Sequence, residues 1–256
     1  IRSLDPGEGQ PRYNIFHGRL AFFEQTGHSA EGHLYTAQLV PQIWKLKQTV
    51  QNRVFVEEGA NKKSVEDLTK EILKPHGLEE TTDYRFDLST RTHAPKQDYT
   101  VQYEESDFDF LSRWLEHHGI SYLFDQSGSN EVIVFTDKLD SFAEESKFLN
   151  YRGDVTEGSL AANLPGVFTI SCRKNPVPKE VVLKDYKWDN PDLNLECTAT
   201  VKATSEGTVY EYNNNYETTE EGKFLAAIRS TELLARETLY SGTSNCVLSA
   251  GTLWEL

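Results

Sequence analysis

The sequence predicts an α+β fold that is rich in β-strands. Short segments of alternating apolar and polar residues recur along the chain, and turns with glycine or proline separate them. Three segments instead carry apolar residues at helical spacing, at 64–73, 106–118 and 218–240. The 256 residues can hold more than one core. We therefore expect a partial first β-rich domain at 1–50 and an intervening α/β domain at 51–150. A second β-rich domain with a long helix is expected at 151–256.

The composition excludes several classes of protein. The formal net charge is −14, from 40 acidic and 26 basic residues, and no basic cluster is present. We therefore expect no direct binding to nucleic acid. The mean hydropathy is −0.57, and no apolar run approaches the ~18 residues that span a bilayer, so we expect no stable membrane insertion. The first residues lack a signal-peptide core, which favours synthesis in the cytoplasm.

The sulfur-containing residues give two further expectations. Cys172, Cys197 and Cys246 are odd in number, far apart and without a C-x-x-C pair, so we expect reduced thiols and no zinc knuckle. The chain contains no methionine. From this we expect that the chain begins inside a longer protein and that selenomethionines have been left out of the sequence.

The N-terminal part predicts a β-hairpin over 12–40. Leu20 and Phe22 would lie on one face of its first strand, with Phe23 on the other face. The polar stretch 26–33 contains glycine and is the expected turn. The return strand again alternates, so the two strands are expected to pair.

The first helix is expected after a strand at 53–59. Ser64 occupies an N-cap position, and Asp67 stands three residues later at the acidic position of a capping box. The apolar stripe of this helix is Val65, Leu68, Ile72 and Leu73. Gly77, after Pro75, ends the helix, and another strand is expected at 84–88.

The stretch DFDFLSRWLEHHGISYLF, residues 107–124, predicts a second helix that leads directly into a strand. Ser106 is its N-cap, with Asp109 in the reciprocal capping position. Gly119 stands where a left-handed C-cap is expected. The helix carries one apolar stripe of Phe108, Leu111 and Leu115 and a second of Phe110 and Trp114. A helix that is apolar on two sides must be covered on both, so we expect it to act as a wedge between packed layers.

The last third predicts a linker, several strands and the longest helix. Polar and irregular residues at 138–166 predict the linker. Strands are expected at 166–174, 179–188, 195–203 and 207–214. The helix at 218–240 is expected to have Phe224, Ile228 and Ala235 on its inner side, flanked by Leu225, Leu233 and Leu234. Two short strands about Gly251 would close the chain.

Four residues around the second helix are the candidates for chemistry. His117 and His118 could form a metal or acid–base site, but neighbours on a helix point about 100° apart, and the dipole favours histidine near a C-terminus. Asp107 and Asp109 could be the two carboxylates of a glycoside hydrolase, but their spacing points them apart on a helix. We therefore favour surface or capping roles for the histidines and capping roles for the aspartates.

Motifs for covalent and nucleotide chemistry are not apparent in the sequence. It has no G-x-S-x-G motif, and Ser241 is interpreted as a turn residue. Gly7 and Gly9 neither follow a strand nor open a helix, which argues against a dinucleotide site. We therefore expect no catalytic, cofactor-binding or metal-binding residues, and we interpret residues 107–124 as scaffold.

The order of these segments resembles the hub domain of VgrG proteins, the spikes of type VI secretion systems, and late control protein D of contractile phage tails. FHGRLAFFEQTG looks like the HG and FEQ-G strand of that family, and LYTAQLVPQIWKL is similar to its next motif. YTVQYEESDFDFLSRWLEHHGISYLF is the most specific match. The likeness extends from about Phe16 to Leu256 in order.

The chain departs from the family pattern in three places. Family members carry strands before the HG motif, and they continue into an oligonucleotide-binding-like domain and a triple-stranded needle. The chain therefore resembles a hub domain with missing ends. Val56 stands where the family often has glutamine, and the VEEGANKKS segment is longer than usual. These differences suggest a divergent branch.

The resemblance implies a homotrimer in which each subunit carries two tube-protein-like β-barrel domains around the α/β domain. Six barrels would match a six-fold tube on one side and a three-fold needle on the other. The implied partners are an Hcp-like tube protein, baseplate proteins, and needle-tip or effector proteins, with no cofactor. The protein would assemble in the cytoplasm and be delivered outside the cell on firing, or be part of a virion. The choice between a secretion spike and a phage hub stays open.

Two alternatives compete with the structural hub. One is a spike-associated enzyme such as a cell-wall hydrolase, whose activity would normally occupy an added domain. The other is a binding module with an exposed strand edge, which could be a monomer.

Overall fold

A computed structural model describes most of the chain. The described residues are 2–4, 11–13, 15–30, 32–56, 62–89, 95–96, 99–138, 143–148, 150–153, 166–245 and 248–255. Strands are more numerous than helices among them, which confirms the predicted α+β, β-rich fold.

The helices and strands have the following bounds. The helices are α1 (Val65–Leu73), α2 (Asp107–His117) and α3 (Thr219–Ala235), with 3₁₀ segments at Gln42–Gln48 and Lys74–His76. The strands of the first half are β1 (Arg2–Leu4), β2 (Pro11–Tyr13), β3 (Arg19–Ser29), β4 (Gly32–Val40), β5 (Val50–Val56), β6 (Tyr84–Asp87), β7 (Tyr99–Ser106), β8 (Ser121–Asp125) and β9 (Val132–Thr136). Those of the second half are β10 (Ala143–Phe148), β11 (Val167–Lys174), β12 (Glu180–Asp185), β13 (Leu195–Thr200), β14 (Thr208–Tyr212), β15 (Thr238–Ser244) and β16 (Thr252–Glu255).

Strands β3 and β4 form a long antiparallel ribbon, which confirms the predicted hairpin. The turn is shorter than expected, because pairing continues to Ser29 and Gly32. The polar residues of the predicted turn instead belong to the ladder, where His28 lies opposite His33. Polar composition favours a turn, but cross-strand side-chain contacts can hold the same residues in a ladder.

The middle of the chain combines two sheets with two helices. Strands β5 and β7 pair antiparallel, while β9 pairs in parallel with β6 and antiparallel with β8. Helix α1 begins with the predicted capping box between Ser64 and Asp67. It ends before a 3₁₀ turn, after which Gly77 adopts a left-handed φ of 63°. Gly119 likewise has φ of 64° after α2, so both predicted helix ends are confirmed.

One hydrophobic core surrounds α2. Both predicted stripes of this helix contribute to it, since Phe110, Leu111, Trp114 and Leu115 are buried and Phe108 packs at its edge. The stripe of α1 is buried in the same core. Ile43 and Leu46 of the 3₁₀ segment also belong to it, although they precede the domain boundary predicted at residue 50. The two boundaries between the three expected domains stay predictions.

A second core lies between α3 and a three-stranded sheet. The sheet has the order β13–β12–β14, in which β12 pairs antiparallel with β13 and in parallel with β14. The buried residues of this core are Val177, Val181, Leu183, Leu195, Cys197, Val201, Tyr216, Leu225 and Ala226. Strands β11 and β15 form a separate antiparallel ribbon. The strands predicted between 166 and 214 are therefore confirmed.

The inner face of α3 is shifted from the predicted one. Its buried residues are Gly222, Leu225 and Ala226. Phe224 and Ile228 are only half-buried, and Ala235 is exposed. A Cβ on Gly222 would stand 2.6 Å from Cys197 Sγ and 2.5 Å from Tyr216. The helix therefore approaches the sheet where its side chains are small. The prediction from apolar spacing rests mainly on large apolar residues and misses this face.

Three predictions for the C-terminal half are wrong. The expected linker at 138–166 contains β10, which pairs in parallel with β16. The third helix ends at Ala235 and not near 240, because the following threonine- and tyrosine-rich segment forms β15. Ser241 consequently lies in a strand opposite Ser171, with 2.8 Å between their hydroxyl oxygens, and is not a turn residue.

Candidate functional site

A buried aspartate at the start of α2 connects four segments of the first core. Asp107 is 1% exposed. Its carboxylate accepts hydrogen bonds from Arg53, from Gln102 Nε2 at 2.8 Å and from His76 Nε2 at 2.7 Å. Its backbone N–H donates to Thr49 O at 2.9 Å. A buried carboxylate with a paired cation and additional donors fixes the relative position of the segments that supply them.

The two candidate carboxylates therefore have different roles. Ser106 caps the helix as predicted, since the Asp109 N–H donates to Ser106 Oγ at 3.0 Å. The Asp109 carboxylate supports this cap by accepting from the Ser106 hydroxyl at 2.7 Å, and not from the Ser106 backbone N–H as in a capping box. The capping role predicted for Asp107 is wrong, because its carboxylate binds Arg53, Gln102 and His76. Arg53 and His76 lie far from Asp107 in the sequence, and no local pattern indicates this cluster.

The C-terminal end of α2 contacts α3, so the wedge helix touches elements of both cores. Arg229 Nη2 lies 3.2 Å from His117 Nδ1. A Cβ on Gly119 would stand 3.0 Å from Cγ2 of Ile228. We call this contact, formed by His117, Gly119, Ile228 and Arg229, the helix joint. The predicted wedge helix therefore packs within the first core and reaches α3 at its C-terminal end.

The histidines at the end of α2 are structural: His118 occupies the C-cap position, which is one of the roles the sequence predicts, but neither histidine lies on the surface. His118 is 1% exposed, with Nδ1 3.0 Å from Trp114 O. Burial lowers the pKa of His117 to about 4, and the nearby His118 and Arg229 contribute smaller effects in the same direction. The guanidinium can only donate, so His117 Nδ1 accepts its hydrogen bond and is unprotonated. Burial in the joint outweighs the attraction of the helix dipole for a charged histidine.

A second contact fastens the β3–β4 ribbon to the middle of the chain. Gln126, in the turn after β8, accepts from His17 N at 2.7 Å, and its amide donates to His17 O at 3.4 Å. His17 Nε2 lies 3.0 Å from Gly128 O. A Cβ on Gly18 would stand 2.6 Å from Val40 O, so the residue after His17 must be glycine for the strands to approach.

A buried glutamate supports this second contact. Glu131 is 4% exposed and accepts from Gln42 N at 2.7 Å and from Gln126 Nε2 at 3.1 Å. Burial raises the pKa of the Glu131 carboxyl. The same Gln126 side chain therefore bonds both His17 and Glu131 and holds the ribbon against the β8–β9 unit.

The two-stranded ribbons carry large apolar side chains on exposed faces. Phe22 and Phe23 are neighbours on β3 and are 46% and 64% exposed. Successive strand residues point to opposite faces, so both faces of the β3–β4 ribbon are open in the single chain. The other exposed apolar residues of the β3–β4, β5–β7 and β11–β15 ladders include Leu20, Leu34, Tyr35, Leu39, Val50, Val54, Val56, Tyr99, Tyr103, Ile170, Leu239 and Tyr240. Extended apolar faces of this kind mark interaction surfaces.

The remaining predicted residues are placed as follows. Cys172 is an exposed free thiol and Cys197 a buried one, whereas Cys246, Gly7 and Gly9 lie outside the described residues. Within the described ranges, no group of three or more histidine, cysteine, aspartate or glutamate side chains could hold a metal ion.

None of the helices in the part of the chain that the structure describes combines the length and the apolar character needed to cross a membrane.

The described part of the chain combines strand-rich units, a connecting helix and open two-stranded ribbons. The family model of the phage tail baseplate hub (GPD) matches residues 3–256. The chain belongs to this phage tail baseplate hub family. Its role is that of a structural hub or spike component of a contractile injection machine.

Curated relatives and solved structures agree with this assignment. The type VI secretion system spike protein VgrG5 of Pseudomonas aeruginosa is 28% identical over 213 residues, which are 82% of this chain and 26% of that protein. The actin cross-linking toxin VgrG1 of Vibrio cholerae is 26% identical over 196 residues, 77% of this chain and 16% of the toxin. The chain thus spans about a quarter or less of these relatives.

The structural comparison supports the fold. The c3393 protein of E. coli, a type VI secretion component described as similar to T4 tail proteins gp27 and gp5, matches with a TM-score of 0.60 at 18% identity. The match covers 98% of this chain and 52% of that one.

Proposed function

We propose that this chain is the hub portion of a homotrimer that connects a hexameric tube to a trimeric needle. The observation that carries the proposal is the β3–β4 ribbon, whose neighbouring Phe22 and Phe23 are both exposed although they point to opposite faces. A two-stranded ribbon is marginally stable alone, and its apolar faces favour burial in an assembly. Copies of the same chain are the partners that family membership favours.

In this proposal the two cores are the mechanical units of each subunit. The strands of the first and last parts belong to tube-protein-like barrels, so that three subunits present six barrels to an Hcp-like tube protein. The needle side would meet needle-tip or effector proteins, and baseplate proteins would surround the hub. The Asp107 cluster, the helix joint and the His17–Gln126 contact would keep these units in a fixed arrangement when force passes from tube to needle.

The proposal also covers where the protein acts and the absence of catalysis in this chain. Assembly would occur in the cytoplasm, followed by delivery outside the cell or incorporation into a virion. Asp107 and Asp109, the candidate acids, are engaged in a buried cluster and a helix cap, which favours scaffolding over hydrolysis. A toxin activity such as that in the name of the Vibrio cholerae relative would belong to other parts of a longer protein.

The ribbon provides the experimental test. Phe22→Glu and Leu34→Glu in the full-length protein place a charge on the exposed apolar faces, and they should abolish trimer formation and co-sedimentation with tube protein. Leu234→Glu is the matched control, because Leu234 is 42% exposed and lies on α3, outside the ribbon. It makes the same change from an exposed leucine to a charge away from the proposed interface. Trimers and tube binding that survive both ribbon changes would contradict the proposed interface.

A further inference from the structure

The end of the β3–β4 ribbon brings two histidines together. His28 and His33 are directly opposite in the ladder, and their ring centroids are 4.7 Å apart with 37° between the ring planes. Both side chains are exposed. The proposed hub function does not use this pair. Two neighbouring imidazole rings can bind one metal ion together.

The spacing of the rings suits a shared metal ion. Imidazole nitrogen binds Zn²⁺ at about 2.0–2.1 Å, so two ligands at a tetrahedral angle have nitrogens about 3.3 Å apart. Rings with centres 4.7 Å apart can present nitrogens at that separation through small side-chain rotations. The β-ladder supplies the two ligands already close together, which lowers the entropic cost of binding both.

A third side chain positions one of the rings. Gln25 Nε2 lies 2.8 Å from His33 Nδ1. Turned by 180°, the same carboxamide would accept a hydrogen bond from Nδ1–H through its oxygen, which leaves His33 Nε2 unprotonated and able to bind metal. Hydrogen bonding of the second ring nitrogen is the usual support of a metal-binding histidine. In that orientation Gln25 would be a positioning residue for this pair.

We propose that His28 and His33 form a two-histidine site for a late first-row divalent ion, namely Cu²⁺, Ni²⁺ or Zn²⁺. Imidazole suits these ions, and the Irving–Williams order places Cu²⁺ as the tightest of them. Mg²⁺ and Ca²⁺ prefer oxygen ligands and should not compete. Two protein ligands leave positions for water or for a donor from another molecule. A bound ion would connect the two strands at the end of the ribbon.

Calorimetric titration of the chain with NiCl₂, with ZnCl₂ and with CaCl₂ tests the site. We expect nickel and zinc to bind with one ion per chain and calcium not to bind. His28→Ala and His33→Ala should each weaken nickel binding about tenfold or more, because each removes half of a chelate. Gln25→Ala should weaken it by a smaller factor and leave the stoichiometry unchanged.

The single variants separate a chelate from independent surface histidines. If the two rings bound ions separately, each single substitution would remove one ion and leave the affinity of the other unchanged. That result would overturn the proposal, as would unchanged nickel binding in the double variant. Amide hydrogen exchange gives a second readout: zinc should slow exchange in β3 and β4 of the original chain and not in His28→Ala. Trimer formation is measured separately, so failure of the metal site leaves the proposed hub untouched.

Discussion

Ile228 of α3 packs against the backbone of Gly119 at the end of α2, where a Cβ on the glycine would stand 3.0 Å from Cγ2 of Ile228. The glycine adopts φ of 64°, which ends α2 and directs the chain into β8. Gly119 thus ends α2 and also allows the close contact with α3. The arrangement explains why the wedge helix ends at this position.

Gly119→Ala should destabilise the chain by about 1–2 kcal/mol, because a left-handed φ is strained for residues with a Cβ. A further loss should come from the crowded Ile228 side chain. A double-mutant cycle with Ile228→Ala, followed by urea denaturation, isolates that second part. If the losses of the two single variants simply add, crowding between the new Cβ and Ile228 contributes nothing to the destabilisation.

Leu111→Ala should lower the free energy of unfolding by about 3 kcal/mol, since Leu111 is 1% exposed in the core around α2 and its truncation leaves a cavity. Leu234→Ala on α3 is the matched control, because Leu234 is 42% exposed and should cost far less. Chemical denaturation measures both. Equal losses in the two variants would refute the buried position of Leu111.

Asp107→Asn should destabilise the chain by about 3 kcal/mol, because it leaves the Arg53 guanidinium without its buried counter-ion. Asp109→Asn keeps an N–H for the Ser106 cap and should change stability little. Denaturation midpoints compare the two variants. A loss for Asp109→Asn as large as that for Asp107→Asn would contradict the different roles assigned to the carboxylates.

The helix joint should make the chain sensitive to acid. His117 has a folded-state pKa of about 4, against an ordinary value of 6.5, so the unfolded chain binds a proton at pH values where the folded chain does not. The stability from neutral His117 is present above pH 6.5 and is lost as the pH falls towards 4. His117→Gln should remove this part of the pH dependence in melting experiments between those values. An unchanged pH profile would contradict burial of the neutral ring.

Much of the fold is predictable because local signals decide it. The Ser64 and Ser106 caps, Gly77 and Gly119 at the helix ends, and the apolar stripes of α1 and α2 all depend on nearby residues. The apolar spacing of α2 also indicates a helix covered on two sides, and both of its stripes are part of the same core. Short-range sequence patterns carry this information.

Other features depend on contacts between distant residues. The role of Asp107 requires Arg53 and His76, which no spacing connects to it. The low pKa of His117 comes from burial against α3, more than a hundred residues away. Strand β10 is polar in sequence and is recognised only by its partner β16. The His28–His33 pair is not predictable from the sequence, because it lies in a stretch whose composition favours a turn.

The central claim is that three copies of this chain form a hub. Light scattering on the full-length protein, at several concentrations in the micromolar range, tests it most directly. The exposed ribbons and the family assignment predict a molar mass three times that of one chain, independent of dilution. A stable monomer or dimer throughout that range would contradict the claim.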